Sequence, residues 1–559
     1  MKPNETTSFL KTKINWSCWQ NDTLYKVLNG ILITAIAVFF FSTLRDGHNW
    51  DGDYALYIMH ARNIVEGLPY ADTGYIYNPK NPMNPASYPP GLPLLLAPIY
   101  QFYGIDLEKM KMVVVISFIL FLLIFSCIMR QSLPWAMALA VTATVGLHFQ
   151  YWRFKDTIFS EFPFMLFCYA ALYGIDSLTQ IKATPKLWSI LVIAIMLALA
   201  CLTRGIGLML FPIIFLIGVY QWRRLVNPCL PILAIAAAII ILVNFLFPQD
   251  LTYHLGPYEN YLNDGIFATL KPNIIVQRSA VRELVVHYAF GENWLIDRLP
   301  LVFFLLVLVG LITRVRIHLS IYEAFLSAYT LFLVTYPGPG ATNEAVRYLL
   351  PIWPLFLFYV VYGTYAIGSR LGGIWQSVLP AMLCGALLSL HVAQYTRTDF
   401  GSIRYSVTDP ISRELFNNIK TNLPADAVVL FGKPTIMALF SDRRAAIWPA
   451  NFNDDEVWRY INEVGAGYIV ALTGDFGKNR YWWDPKIQAF IEQNQSALRL
   501  LFSNKWFNLY QVSDNHASWH KETSYTLGRR PHPALASNRG SSDPASSSLK
   551  LNFTGIASQ

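Results

Sequence analysis

The chain has 559 residues, of which 54% are hydrophobic and only 14% are charged. Soluble proteins carry roughly 25% charged residues, so this composition excludes an ordinary soluble protein and indicates an integral membrane protein. The formal net charge of +8 is therefore interpreted by the side of the membrane on which the cations lie. We predict no nucleic-acid partner.

Recurring hydrophobic runs predict a mainly α, polytopic membrane protein with about eleven transmembrane helices. Residues 1–26 are polar, and no small-residue cleavage site follows the first run, so we expect a cytoplasmic tail and a retained membrane anchor. The run at 91–104 is short and rich in proline, and we interpret it as a re-entrant or interfacial helix. The predicted spans lie near 27–44, 112–129, 133–149, 158–177, 187–203, 205–220, 229–248, 300–313, 318–336, 347–367 and 372–393.

The orientation of the spans follows from the positively charged residues in the short connections. With a cytoplasmic N-terminus, every cytoplasmic turn carries at least one cation, which predicts a multi-pass protein of the inner (plasma) membrane. The loop 45–111, the loop 249–299 and everything after about 395 then lie on the outer, periplasmic side. The basic turns are Arg130-Gln131, Lys182–Lys186, Arg223-Arg224, Arg314–Arg316 and Arg370.

After the last span the sequence has the pattern of a small soluble α/β domain, which we place at 406–512. The segments 427–431, 467–472 and 498–502 predict buried strands, and 506–512 is predicted to close a hairpin. Helices are predicted after Asp409-Pro410 and at 454–463 and 484–493. The region 513–559 is rich in Ser, Pro and Gly, which predicts a disordered tail.

The outer loop 45–111 is longer than a simple connection needs, and loops of more than about 12–15 residues are commonly functional. Asp51 and Asp53 lie just outside the first span, ahead of an amphipathic segment whose apolar positions recur at helical spacing. One interpretation is that they cap this helix. The other is that one of them is a general base, which removes a proton from an acceptor hydroxyl.

Several cations lie at the outer ends of predicted spans, where the charge rule disfavours them. Arg204 and Arg347 either extend toward lipid headgroups or bind an anionic leaving group at a functional site. The same alternatives apply to Arg153 and Lys155. Asp156 and Glu161 neutralise these cations, cap a helix, or ligate a divalent cation together with Asp53. A carboxylate base beside several cations suits transfer from a lipid phosphate donor.

The order of several motifs along residues 27–395 carries a resemblance to a known family. After the first span come an outer Asp, YALYIMHARNIVEG (54–67) and YPPGLPLLLAPIYQFYG (88–104). The chain then continues with SEFPFMLFCYAALYG (160–174), CLTRGIGLMLFP (201–212) and RYLLPIWPLFLFY (347–359). The chain resembles the GT-C membrane glycosyltransferases of the protein O-mannosyltransferase and lipid A aminoarabinose transferase type.

This resemblance implies an inverting enzyme that uses a polyprenyl-phosphate sugar and has its active site at the outer face. It places the catalytic aspartate at Asp53, with Asp51 as the fallback, and it places Arg204 and Arg347 near the lipid phosphate. Lys80 is a weaker candidate for the same phosphate. The family often has Asp-Glu at this point, whereas Tyr54 follows Asp53 here. The second acid is therefore expected from Asp156 or Glu161.

We therefore expect a hexosyl- or pentosyltransferase that moves a sugar to a lipid, glycan or protein acceptor. This interpretation requires no nucleotide cofactor, because the lipid carrier replaces it, and a divalent cation is left open. A transporter or flippase is the alternative from another class, but transporters favour charges near the bilayer midplane and internal repeats. A GT-C-like glycan ligase or polymerase is the third interpretation.

Overall fold

The protein is described from a computed structural model, which covers residues 22–78, 84–180, 185–220, 222–249, 266–286, 294, 296–336, 342–449, 452–473 and 485–513. Three sequence predictions lie outside the described residues. These are the N-terminal tail before residue 22, the candidate Lys80, and the tail after residue 513 that is predicted to be disordered.

Helices make up most of the region for which transmembrane segments are predicted. A long helix, 266–286, lies within the second predicted outer loop, and the short helix 342–349 overlaps the start of the predicted span at 347–367. The helices are α1 (Asp22–Ser42), α2 (Asp53–Glu66), α3 (Gly91–Tyr103), α4 (Leu107–Ser132), α5 (Trp135–Gly146), α6 (Phe149–Phe154), α7 (Glu161–Gln180), α8 (Leu187–Thr203), α9 (Leu210–Tyr220), α10 (Trp222–Leu246), α11 (Ile266–Val286), α12 (Leu299–Ile317), α13 (Ile321–Thr335), α14 (Thr342–Leu349), α15 (Trp353–Leu371) and α16 (Trp375–Tyr395).

In the described part of the chain, 5 helical segments are long and apolar enough to cross a membrane. Spanning the hydrocarbon core takes about 20 residues, and several predicted spans form helices shorter than that. The predicted total of about eleven spans therefore stays a prediction, while a membrane protein built mainly of helices is confirmed. The 5 segments are Thr23–Ser42, Leu107–Ser132, Pro228–Leu246, Ile296–Ile317 and Trp375–Tyr395.

Two of the basic turns that were predicted to be cytoplasmic, those at Arg130 and Arg314, lie at one end of the helix bundle. The Arg130 guanidinium lies 5.6 Å from the centroid of the Tyr25 ring near the start of α1. Arg314 Nη2 donates to Ser132 Oγ at 3.4 Å, so the turns after α4 and α12 are adjacent. Thr43, at the opposite end of α1, contacts the segment that precedes α7.

The C-terminal α/β region contains α17 (Pro410–Asn422), β2 (Val428–Phe431), α18 (Pro434–Ser441), β3 (Arg444–Ile447), α19 (Asp454–Val464), β4 (Tyr468–Leu472), α20 (Pro485–Gln493), β5 (Leu498–Ser503) and β6 (Phe507–Val512). The strand order of the sheet is β1-β3-β2-β4-β6-β5. Strands β1 to β4 pair in parallel, and β6 pairs antiparallel with both β4 and β5. The predicted strands and the terminal hairpin are confirmed.

The edge strand β1 (Tyr75–Ile76) comes from the first outer loop, because Tyr75 pairs with Ala445 of β3. The same loop inserts Trp50 among aromatic side chains of the α/β region, including Phe431 and Phe507. Its indole Nε1 donates to the Tyr405 carbonyl oxygen at 2.9 Å. The first outer loop therefore contributes a strand to the sheet of the α/β region and packs against its core.

Helix α2 confirms the helical spacing predicted after Asp53, but it is covered on more sides than the single apolar face of an amphipathic helix requires. It packs between α3 and α18, and nearly all of its side chains up to Ala61 are buried. It ends at Gly67, whose φ of +68° is the left-handed conformation that glycine adopts most readily. One of the two helices that cover α2 is α18, which belongs to the α/β region. The apolar spacing within α2 gives no sign of that contact.

Candidate active site

Asp53 is the first residue of α2, and Gly52 occupies the N-cap position without a side-chain cap. The two carboxylate oxygens of Asp53 accept hydrogen bonds from different segments. Asn84 Nδ2 donates to Oδ1 at 2.8 Å, and Arg347 Nη1 donates to Oδ2 at 2.9 Å. The interpretation of Asp53 as a helix cap is therefore wrong, because both oxygens face partners that lie outside the helix.

Glu161 is the second acid of the site and is almost fully buried at the start of α7. Its Oε1 accepts from Arg347 Nε at 2.9 Å and lies 2.9 Å from Arg204 Nη1. A buried carboxylate is stable only when it is paired and hydrogen-bonded, and two guanidinium groups supply that pairing here. The interpretation in which Arg204 and Arg347 extend to lipid headgroups is wrong.

Aromatic and hydroxyl groups surround these charges. The Arg347 guanidinium lies 4.0 Å from the centroid of the Phe159 ring, close enough for a cation–π interaction. Ser160 Oγ accepts hydrogen bonds from Tyr57 and Arg204, both at 3.2 Å. The Tyr57 ring stands 4.6 Å from that of Tyr88. Tyr57, Tyr88 and Ser160 belong to the quoted motifs, whereas Phe159 lies just outside them and was not a candidate.

Helix ends bring the four charged residues together. Asp53 and Glu161 begin helices, Arg204 follows the last residue of α8, and Arg347 lies in the last turn of α14. A close approach at Gly91 helps to place Arg204, because a Cβ there would lie 2.6 Å from the backbone nitrogen of Thr203. Only glycine allows α3 to begin this close to the end of α8.

Asp51 lies two residues before Asp53 but has different surroundings. Its Oδ2 accepts a hydrogen bond from Asn49 Nδ2 at 2.5 Å. The N-cap position of α2 is held by Gly52 and not by Asp51. The structure thus places both predicted catalytic acids on one short segment, with Asp53 in the arginine cluster.

Lys155 and Asp156 form a second cluster on the other side of the turn that precedes α7. Lys155 Nζ lies 2.8 Å from Asp156 Oδ1, and Arg45 Nε lies 2.7 Å from Asp156 Oδ2. The Lys155 side chain is 0% exposed, so it is not available to a lipid phosphate. We correct its predicted role from donor binding to structural pairing, and Asp156 is the acid that neutralises it.

The other candidates for phosphate binding are not brought to the site. Arg153 is half exposed and lies 3.8 Å from Glu283 of α11, with Gln150 as a second partner. Lys80 lies outside the described residues. Of the five predicted phosphate ligands, Arg204 and Arg347 are the two that the structure joins to Asp53 and Glu161.

The predicted cation ligands Asp53, Asp156 and Glu161 do not converge, because Asp156 belongs to the second cluster. Throughout the described ranges, no three His, Cys, Asp or Glu side chains come together as a candidate metal site. A guanidinium group lies between Asp53 and Glu161 instead, so these residues do not fit the predicted three-carboxylate site.

No family model and no curated protein matches the sequence. The fold, however, matches solved structures of the oligosaccharyltransferase from Archaeoglobus fulgidus. The complex with zinc and sulfate has a TM-score of 0.55 and 12% identity, and covers 86% of this chain and 73% of that chain. AglB with an inhibitory peptide and a dolichol-phosphate gives a TM-score of 0.51 and 11% identity, covering 80% and 69%. The chain has a GT-C fold.

A further similar structure is ArnT from Cupriavidus metallidurans bound to undecaprenyl phosphate, with a TM-score of 0.48 and 12% identity. It covers 88% of this chain and 98% of that chain. The likeness to the oligosaccharyltransferase structures confirms the GT-C prediction made from the motif order as a statement about fold. Within this GT-C fold, the four helix-end charges lie on the side of Thr43 and not on the side of the basic turns.

Proposed function

We propose that the protein is an inverting membrane glycosyltransferase, which transfers a sugar from a polyprenyl-phosphate donor to a lipid, glycan or protein acceptor. The observation that carries this proposal is the convergence of Asp53, Glu161, Arg204 and Arg347 from four separate helices. A carboxylate able to accept a proton stands beside two guanidinium groups able to hold a phosphate. Those are the two functions that transfer from a phosphate donor requires.

The donor phosphate would bind Arg204 and Arg347. Arginine presents a planar fork of donors that matches the geometry of a phosphate. Both guanidinium groups now bond to carboxylates, so a phosphate has to compete for the same N–H groups. Glu161, which has both arginines as partners, keeps them side by side whether or not a phosphate is bound.

Asp53 would act as the general base. In the transfer step, its carboxylate takes the proton from the acceptor hydroxyl or amine while the acceptor atom bonds to the anomeric carbon. The bond between that carbon and the phosphate oxygen breaks, and the phosphate leaves with the electron pair. Its negative charge develops against the two arginines, where charge stabilisation assists departure most.

The proposed donor and acceptor classes are supported by the molecules bound in one of the similar structures. AglB was solved with a dolichol-phosphate and an inhibitory peptide, that is, with a polyprenyl-type lipid phosphate and a peptide. At 11% identity this likeness supports the class of donor and names neither the sugar nor the acceptor of this protein.

We place the site on the periplasmic side of the inner membrane, with a cytoplasmic N-terminus. The basic turns at Arg130 and Arg314 lie at the end of the bundle opposite Thr43, which supports a positive-inside orientation. Reporter fusions after Arg224 and Arg316 should therefore score cytoplasmic, and fusions at Asp264 and Ala450 external. An external signal after Arg316 would reverse the orientation.

Binding of a lipid phosphate tests the proposal directly. Purified full-length protein in nanodiscs is titrated with undecaprenyl phosphate and, in parallel, with undecaprenol, which has the same chain without the phosphate. We expect at least about tenfold tighter binding of the phosphate, equivalent to ~1.4 kcal/mol. Equal affinities for the two lipids would show that the arginine pair does not recognise phosphate.

A further inference from the structure

Lys433 is a buried lysine that the C-terminal α/β region places beside the two acids of the first outer loop. It follows β2 and occupies the N-cap position of α18. Only 4% of its surface is exposed. Lysines are rarely buried without a carboxylate partner, and the two charges that act on this one are Asp51 and Asp53.

The backbone around Lys433 is joined to the segment that carries both acids. Thr435 Oγ1, two residues further on, donates to the Gly52 carbonyl oxygen at 3.0 Å. Gly52 stands between Asp51 and Asp53, and a Cβ there would lie 2.7 Å from Thr435 Oγ1. The start of α18 is therefore packed directly against the residue that links the acids.

Other contacts fix this segment on the α/β region independently of Lys433. His48 donates its backbone N–H to Ser406 Oγ at 2.8 Å, and Val407 N–H donates to the His48 carbonyl oxygen at 3.0 Å. Trp50 fills the aromatic pocket described above. The placement of the acids is thus supported at several points, and Lys433 is the group that adds charge.

We propose that Lys433 is a positioning residue of the active site, whose ammonium group keeps Asp51 and Asp53 in place. This inference rests on the proposed function. When the donor phosphate competes for Arg347, Asp53 loses part of its positive surroundings, and Lys433 is the cation that still holds it in position. The α/β region is then a part of the active site and not an appended module.

The protonation of Lys433 gives the inference a measurable signature. Burial lowers the pKa of Lys433 to about 8, and Asp51 and Asp53 oppose that shift. Other charged or titratable groups that act near Asp53 are Arg347, Glu344, Tyr57 and Tyr88. Because the ammonium is the active form, the rate of transfer should fall as the pH rises through about 8.

The experiment uses isolated membranes, which contain the native donor and acceptor, and follows product by mass spectrometry from pH 6 to 10. Lys433→Met should form product at least about tenfold more slowly, since small displacements of a catalytic group have large effects on rate. It should still bind undecaprenyl phosphate. Lys433→Arg keeps its charge at every pH tested, so the fall of its rate at alkaline pH should shift to a higher pH. Lys420→Met is the control, because Lys420 pairs with Asp442 on the surface.

Two results would overturn the inference. Parental rates in Lys433→Met would show that the ammonium is dispensable, and an alkaline limb that stays near pH 8 in Lys433→Arg would assign the limb to another group. If Lys433→Met fails to fold, the pH profile of Lys433→Arg still tests the inference. Membranes with parental protein that form no product would overturn the proposed function, and the inference with it.

Discussion

Arg347 and Asp53 lie 294 positions apart in the sequence, and Arg347 Nη1 donates to Asp53 Oδ2 at 2.9 Å. The contact joins a group suited to bind phosphate directly to a group suited to accept a proton. If the proposed function holds, a donor phosphate that binds Arg347 changes the hydrogen bonding of the proposed base Asp53. Donor binding and proton transfer are then coupled through the Arg347 side chain.

Asp53→Asn should separate the catalytic role of Asp53 from its structural role. Asparagine keeps the shape and can still accept from Asn84 or Arg347, but it cannot serve as a base at neutral pH. We expect product formation by isolated membranes to fall by about two to four orders of magnitude, the range for losing general-base assistance. Binding of undecaprenyl phosphate should be retained.

The same change at Asp51 should be milder, because the Arg347 contact stays in place. Asp426→Asn is the control, since Asp426 is an exposed acid of the α/β region. An inactive Asp51→Asn beside a near-parental Asp53→Asn would move the base two residues upstream. Activity in both variants would remove the single-base mechanism.

Lysine in place of Arg204 or Arg347 should weaken the binding of undecaprenyl phosphate. Lysine keeps the positive charge but lacks the bidentate fork, so we expect a loss of about tenfold in affinity. Arg404→Lys is the matched control, because Arg404 pairs with Asp399 on the surface, where its side chain is 81% exposed. Equal lipid affinity in Arg347→Lys and the parent would exclude Arg347 as a phosphate ligand.

Lys155→Met should lower stability without weakening lipid binding in the folded protein. The substitution leaves Asp156 buried with one cation instead of two, and breaking a buried ion pair costs about 3–5 kcal/mol. The control is Lys109→Met, which breaks an ion pair with Asp106 at a position where both side chains are partly exposed. An exposed pair contributes about 0–1 kcal/mol. Thermal unfolding of the purified variants measures both effects, and equal shifts would contradict the assignment.

Two buried histidines of the outer loop should make the fold sensitive to acid. Burial lowers the pKa of His48 to about 3 and that of His60 to about 4. His48 Nε2 accepts a hydrogen bond from the backbone N–H of Ile158, and His60 Nε2 accepts one from the backbone N–H of Tyr88. Both are therefore neutral in the folded protein.

A histidine in the unfolded chain has a pKa of about 6.5, so below that pH it binds a proton, whereas the buried histidine of the folded protein stays neutral. Stability should therefore fall as the pH drops from about 6.5 to 4, by up to ~1.4 kcal/mol per pH unit for each histidine. His60→Gln should reduce this slope in thermal unfolding between pH 7 and 4, whereas His318→Gln, at an exposed position, should not. The parental slope in His60→Gln would contradict the assignment.

The sequence was sufficient to predict the GT-C fold and most strands of the α/β region, and its candidates include the four charged residues that the structure brings together, Asp53, Glu161, Arg204 and Arg347. The fold prediction came from the resemblance in motif order, the strands from local apolar patterns, and the two arginines from their place on the side of the membrane that disfavours cations. Strand β3 was missed because it is only Arg444–Ile447, and β1 is shorter still. Pairing between distant segments makes such strands, and local composition does not encode it.

The separation of Asp156 from Glu161 could not be predicted either. The two acids are five positions apart, yet Arg45 and Lys155 hold one while Arg204 and Arg347 hold the other. The partners other than Lys155 come from distant parts of the chain. Lys433 was likewise missed, because nothing in its neighbourhood shows that it lies beside Asp51 and Asp53.

A role for Asp53 at the centre of a glycosyl transfer is tested most directly by the glycans of three strains. One strain lacks the gene, one carries the parental protein, and one carries Asp53→Asn at the same protein level, and whole-cell glycolipids and glycoproteins are compared by mass spectrometry. We expect one glycan to disappear without the gene, to return with the parental protein, and to stay absent with Asp53→Asn. The same glycan at parental amount in the Asp53→Asn strain would contradict a catalytic role for Asp53.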